Sequence, residues 1–299
     1  MTPLLHLTPL DRLYPLRLRS LARPPASLTV RGGSLEAPCA VAIVGSRAAN
    51  GDATAFSRNL AATLVRSGAV VVSGGAIGID AAAHRGALDA GGRTWAVAGT
   101  GCEHCFPPEH ASLFDTIGEG PGAMVWPFPP AAAARAGGFV LRNRVLVALS
   151  DAVVVVQAGI RSGALRAAEC ARALKRPLWV VPAPPWAVGF EGSRQLLDQG
   201  ARALTGCVTF LRTLALHDPE GSGGAASPMP EARGNEPVDP IQSAVLCAIS
   251  SVPSHIDEIA LKAHATVQVA AAALLTLALE AVVVEGPPGF FRRRDSYKQ

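Results

Sequence analysis

From residue 40 onward the hydrophobic and polar positions fall into two alternating patterns. Short, nearly continuous apolar runs occupy Ala40–Val44, Val70–Val72, Thr94–Ala98, Ala123–Trp126, Ala152–Val156 and Leu178–Val181. Between them lie longer stretches whose apolar residues return every three or four positions. In 52–67, for example, Phe56, Leu60 and Leu64 share one face and Gly68 follows as a stop. The short runs predict buried strands; the periodic stretches predict helices over 52–67, 79–90, 107–117, 139–150, 162–175, 193–199 and 207–216. Pro107 is expected in the first turn of its helix, where its missing N–H costs nothing. Strands that are apolar on both faces and alternate with helices predict a parallel or mixed α/β sheet covered on both sides.

The flanks differ. Residues 1–36 form a Pro- and Arg-rich lead-in, with Thr29–Arg31 as a short edge strand. The main domain is expected over 37–216. Residues 217–237, HDPEGSGGAASPMPEARGNEP, have almost no large apolar side chains and predict a flexible linker. Beyond it, 238–299 carry helices over Pro240–Ser250, Ser254–Lys262 and Thr266–Leu279, with Ser254 and Asp257 spaced as a capping box. Val282–Val284 and Phe290–Arg292 around a Gly-Pro-Pro-Gly turn add a hairpin. Three helices and a hairpin make a winged-helix layout.

Composition changes this picture modestly. Of 299 residues, 49% are hydrophobic and 17% charged, enough apolar material for a large core. A net charge of +4 permits an anionic partner without requiring one. Only Lys175, Lys262 and Lys298 are lysines among 27 basic residues, and the arginine-rich balance suits bidentate phosphate contacts. The six cysteines sit mostly in apolar segments and fit a reducing compartment. No basic-then-apolar signal opens the chain, and the longest apolar run, Val269–Leu279, is too short to span a bilayer. A cytoplasmic protein away from membranes is expected.

The candidate chemistry lies in the turns. Gly45, Ser46 and Arg47 follow the first buried strand: a close-approach backbone, a hydroxyl and a fixed cation, which together suit a phosphate. Ser73 and Gly74 end the neighbouring strand. Phe139 with Arg142, Asn143 and Arg144 supplies charge for phosphates and a ring for bases, and Ser162-Gly163 opens another helix. The alternatives are a tight turn whose arginine pairs with a carboxylate, and a solvated helix start with Phe139 in the core. The loop lacks G-x-G-x-x-G, and with no lysine before Lys175 there is no P-loop. Asp80 and His84 stand at i, i+4 and are expected to bond each other as a structural pair. Cys102 and Cys105 form a lone C-x-x-C with His104 and His110 at irregular spacing, so neither metal nor cofactor is expected. Thr266–Leu279 holds no Arg or Lys, and Gln268 is its only amide. That argues against base-edge readout and for a partner-protein role.

These motifs add up. VAIVGSR at 41–47, SGGAIGID and AAAH within 73–84, FVLRNR at 139–144, SGALRAAE at 162–169 and QLLDQGA at 195–201 resemble the DNA-processing protein A (DprA/Smf) family. The resemblance runs from about Tyr14 to Leu204 and extends to the winged-helix pattern. It implies an extended Rossmann-like domain and a non-catalytic homodimer that binds single-stranded DNA. It further implies protection of incoming DNA and loading of the RecA recombinase in natural transformation. It also implies that Gly45, Ser46 and Arg47 seat a phosphate, that Ser73 and Gly74 line the same pocket, that Phe139, Arg142, Asn143 and Arg144 continue the strand path, and that Ser162 and Gly163 close it. The chain departs from the family pattern at Gln157, at Phe106-Pro107, at Ala183 and at Arg194, and no N-terminal helical domain is expected before Tyr14. The competing expectation is a nucleoside-monophosphate phosphoribohydrolase of the lysine-decarboxylase-like group. The segment from Gln157 to Glu169 lacks that group's paired glycines and threonine, and Glu169 falls late.

Overall fold

The computed structural model describes residues 2–19, 21–214, 240–250, 252–279, 282–286 and 289–293. The predicted linker at 217–237 lies outside the described residues. The chain divides into two compact units, Met1–Ser222 and Gly223–Gln299.

The first unit is built on one nine-stranded sheet. Its strands are β1 (Leu4–Leu7), β2 (Leu28–Gly32), β3 (Ala40–Val44), β4 (Val70–Ser73), β5 (Thr94–Val97), β6 (Ala123–Trp126), β7 (Ala152–Val155), β8 (Leu178–Val180) and β9 (Arg202–Ala203). Their spatial order is β1-β2-β6-β5-β4-β3-β7-β8-β9. From β6 to β9 all neighbours are parallel; β2 runs antiparallel to both β1 and β6. The sheet is therefore mixed. Thr29–Arg31 is not an edge strand, because Leu4–Leu7 pairs along its free side. Neither that partner nor the two-residue β9 carries a periodic signal in sequence.

The helices are α1 (Leu16–Arg19), α2 (Gly51–Arg66), α3 (Ile79–Asp89), α4 (Ala111–Glu119), α5 (Ala136–Ala148), α6 (Gly163–Ala173), α7 (Glu191–Asp198) and α8 (Cys207–Thr213). Pro107 lies outside any helix; a 3₁₀ turn, Pro108–His110, leads into α4. Asn50 caps α2, its side chain accepting from the Ala53 N–H at 2.8 Å.

Period-two alternation explains why the central strands are apolar throughout. Ala40, Ala42 and Val44 of β3 point into the core lined by α1, α5 and α6. Val41 and Ile43 point into the core under α2, α3 and α8. The β7 strand divides the same way, and on β5 and β6 Ala96, Met124 and Trp126 meet α4. Both faces of β3 and β7 are dry, and neither strand carries a polar side chain.

The second unit contains α9 (Pro240–Ala248), α10 (Ile256–Lys262), α11 (Val267–Leu279) and a three-stranded sheet of β10 (Ser254–His255), β11 (Val283–Glu285) and β12 (Phe290–Arg293). Val245, Ile259, Ala270, Leu274 and Val283 form its core. The expected capping box is not used. Ser254 and His255 pair with Phe291 and Phe290, and His255 becomes the cap, its Nδ1 accepting from the Asp257 N–H at 3.4 Å. Pairing with β12 claims Ser254 before it can cap.

Candidate functional site

The chain runs from β3 outward through β4, β5 and β6, then returns to place β7 on the other flank of β3. The loops leaving β3 and β7 therefore part company, and the crevice between them is where open α/β sheets take ligands. Gln157 holds the two loops in register. Its carbonyl accepts from the Ser46 N–H at 2.7 Å and its Oε1 accepts from the Asn50 N–H at 3.0 Å. The crevice is a cavity of about 490 Å³ whose wall carries four arginines, Arg47, Arg142, Arg161 and Arg166, and one carboxylate, Asp80.

Gly45 is required by close approach: a Cβ there would stand 2.5 Å from Cγ1 of Ile79, the first residue of α3. Ser46 lines the cavity, its Oγ accepting from the Ala48 N–H at 3.1 Å. Arg47 is exposed and forms no ion pair with any described residue. Its guanidinium carbon lies 5.4 Å from the centroid of the half-buried Phe139 ring, which also meets the Phe106 ring at 5.4 Å.

Arg142 plays a different part. It is buried, and its Nη1 donates to the Val97 carbonyl at 2.8 Å. The same nitrogen occupies the space a side chain on Gly74 would need. Asp80, also buried, accepts from the Ala76 N–H at 3.4 Å. Burial raises the Asp80 carboxyl and lowers the Arg142 guanidinium, while each one's charge works against the other's shift. The pair braces the cleft floor, with one edge of Arg142 still lining the cavity. Gly74 borders a smaller adjoining hollow of about 230 Å³ with Arg47, Phe106, Phe139 and Arg142.

Asn143 and Ser162-Gly163 meet where α5 and α6 approach. Asn143 Nδ2 donates to the Gly163 carbonyl at 3.3 Å, and Ser162 caps α6, accepting from the Ala164 N–H at 3.2 Å. All three residues line the main cavity.

Two expected site residues lie elsewhere. Ser73 is fully buried and its hydroxyl donates to the Ile43 carbonyl at 2.6 Å, so it ties β4 to β3 beneath the pocket instead of lining it. Arg144 borders neither cavity; its charge is felt at Cys170 of α6, whose thiol is pushed up by burial and by Glu169 and held back by Arg144. The Asp80–His84 bond is also absent. His84 Nδ1 is 2.7 Å from Thr94 Oγ1, and Thr94 spends its own proton on the Val71 carbonyl at 2.8 Å. His84 therefore donates from Nδ1, and its buried Nε2 has no partner. Burial holds this imidazole down at about 3.

Sequence reasoning missed Arg161 and Arg166. Arg161 directly precedes Ser162-Gly163, the pair that opens α6, and Arg166 lies within the first turn after it, so the signal was two cations at a helix start already singled out. Gln157 and Phe106 were noted only as departures from a pattern. Among the described residues no three His, Cys, Asp or Glu side chains form a metal-ligand set.

Fold and cleft together define a Rossmann-like protein with a basic crevice at its topological switch point. A family model described as DNA recombination-mediator protein A matches residues 6–215, and the DprA winged helix domain matches residues 229–289. The chain belongs to the DNA recombination-mediator protein A (DprA/Smf) family. Protein Smf of Escherichia coli is 33% identical over 97% of this chain and 78% of its own length. A DNA processing protein DprA of Mycobacterium tuberculosis is 42% identical over 56% of this chain, and the chain spans only 43% of that relative's length. Among solved structures, DNA processing protein A of Streptococcus pneumoniae superposes with a TM-score of 0.66 at 31% identity, covering 71% of this chain and 74% of that one. The Helicobacter pylori protein, described for its unique single-stranded DNA binding mode, superposes at 0.65 with 28% identity, covering 72% and 96%.

Proposed function

We propose that this chain binds single-stranded DNA through the cleft between the β3 and β7 loops, without catalysis and without sequence preference. The observation that carries this is the cleft itself: four arginines against one buried carboxylate, with the Phe139 ring beside the free Arg47. Charge for phosphates next to a ring for bases is the combination a single strand uses and a closed duplex cannot, because its bases are already stacked. The single-stranded DNA binding described for the Helicobacter pylori relative supports the same reading. In it the protein acts as a cytoplasmic homodimer that protects incoming DNA and hands it to the RecA recombinase during natural transformation. The winged-helix unit serves a protein partner.

The test is fluorescence anisotropy of labelled oligo-dT against a matching duplex over a salt series. Single-strand preference with log affinity falling at about −0.7 per phosphate neutralised supports the proposal. Equal or absent binding to both overturns it. Free base released from AMP would instead favour the phosphoribohydrolase.

A further inference from the structure

A third hollow of about 440 Å³ adjoins the main cleft and shares Arg161, Ser162 and Arg166 with it. The two arginines thus form a ridge between two cavities. Arg161 is exposed and makes no ion pair with any described residue. Arg166 is occupied: its Nη1 donates to Glu169 Oε2 at 2.9 Å and to Oε1 at 3.2 Å, one turn along α6. Both side chains are 59% exposed, so solvent screens the pair and little is lost on breaking it. A backbone phosphate offers Arg166 two anionic non-bridging oxygens in place of the carboxylate pair.

We infer that a strand leaving the Arg47 cleft crosses the Arg161–Arg166 ridge into the adjoining hollow, and that a backbone phosphate displaces Glu169 from Arg166. Glu169 is then an intramolecular competitor that lowers the protein's affinity for single strands. This rests on the single-strand reading of the cleft and assigns two residues to it: Arg166 as a phosphate contact and Glu169 as its counter-charge.

Full-length protein and labelled oligo-dT provide the test, in a salt series with Arg166→Ala, Glu169→Gln, the double variant and Arg47→Ala. Arg58→Ala, which breaks the exposed Arg58–Asp89 pair away from the cleft, is the control. Loss of one phosphate contact in Arg166→Ala weakens binding about fourfold at 0.15 M salt and flattens the slope by about 0.7. Glu169→Gln tightens binding about two- to fivefold, the range of an exposed pair removed. The double variant binds like Arg166→Ala, because the carboxylate acts only through that arginine.

Arg166→Ala matching wild type, or a Glu169→Gln gain that persists without Arg166, overturns the inference. If Arg47→Ala still weakens binding in that case, the cleft reading stands alone. Absence of single-strand binding by wild type removes both.

Discussion

The two helix-and-loop surfaces that could meet nucleic acid are built in opposite ways. In the first unit, the β3 and β7 loops gather four arginines around one cavity. In the second, α11 occupies the place of a recognition helix yet carries no charge, burying Ala270, Ala273, Leu274 and Leu277 and exposing Val267, Gln268 and Val269. A helix-turn-helix layout alone therefore does not make a DNA reader; side chains able to reach phosphates and base edges must be on it. A Rossmann-like crevice, by contrast, becomes an anion site by the placement of two loops and a few arginines.

The contrast extends inside the cleft. Arg142 and Arg47 flank the same ring at 5.9 and 5.4 Å, but one is buried and bonded and the other is free. The largest effect is expected from Arg142→Ala, which leaves Asp80 buried without its counter-charge and the Val97 carbonyl without its donor. The cost is about 2–4 kcal/mol of stability, for an emptied buried volume and a buried carbonyl left unpaired, read by denaturant unfolding. A variant as stable as wild type would mean Arg142 is not a brace.

Next comes pH. The His84 imidazole sits at about 3 when folded against about 6.5 when unfolded, so the unfolded chain binds the extra proton. Its contribution is complete above pH 6.5 and is lost as pH falls from there toward 3, at no more than about 1.4 kcal/mol per unit. Asp80, raised by burial, tilts the curve the opposite way. The measurement is therefore the difference between wild-type and His84→Gln unfolding from pH 7 to pH 4.5. That gap should shrink on acidification; a constant gap rejects the assignment.

Arg47→Ala has a smaller effect, confined to binding: roughly four- to tenfold weaker association with every single-strand sequence alike, with unfolding unchanged. Sequence-dependent losses would place Arg47 on bases instead. The smallest effect is expected from deleting residues 238–299. The first unit keeps its own core, and strand affinity should stay within about twofold, the free-energy scale of one weak surface contact. A large loss would put the winged helix on the DNA and erase the contrast between the two units.

Much of the fold was legible because it is local. The alternation of dry strands with amphipathic helices, the glycine at position 45 and the arginine after it all follow from periodicity and turn chemistry. The capping box at Ser254 failed because a strand partner 37 positions away, Phe291, competed for the same residue. The Asp80–His84 spacing was right for a bond, but Thr94 and the Ala76 N–H offered each partner a better one.

The sequence by itself determined which segments are buried on both faces, where chain turns approach closely, and that arginine supplies nearly all the positive charge. Tertiary structure decided which arginines are free. Strand order set β7 against β3, so Gln157 could fasten a loop 107 positions away and bring Arg161 and Arg166 to face Arg47. The same packing sank Arg142 near Asp80, kept Arg144 off both cavities and hid Ser73 under the pocket floor. Periodicity reports the face a residue occupies on its own element. Whether that face meets solvent, a charge or a neighbouring backbone depends on elements far away in the chain.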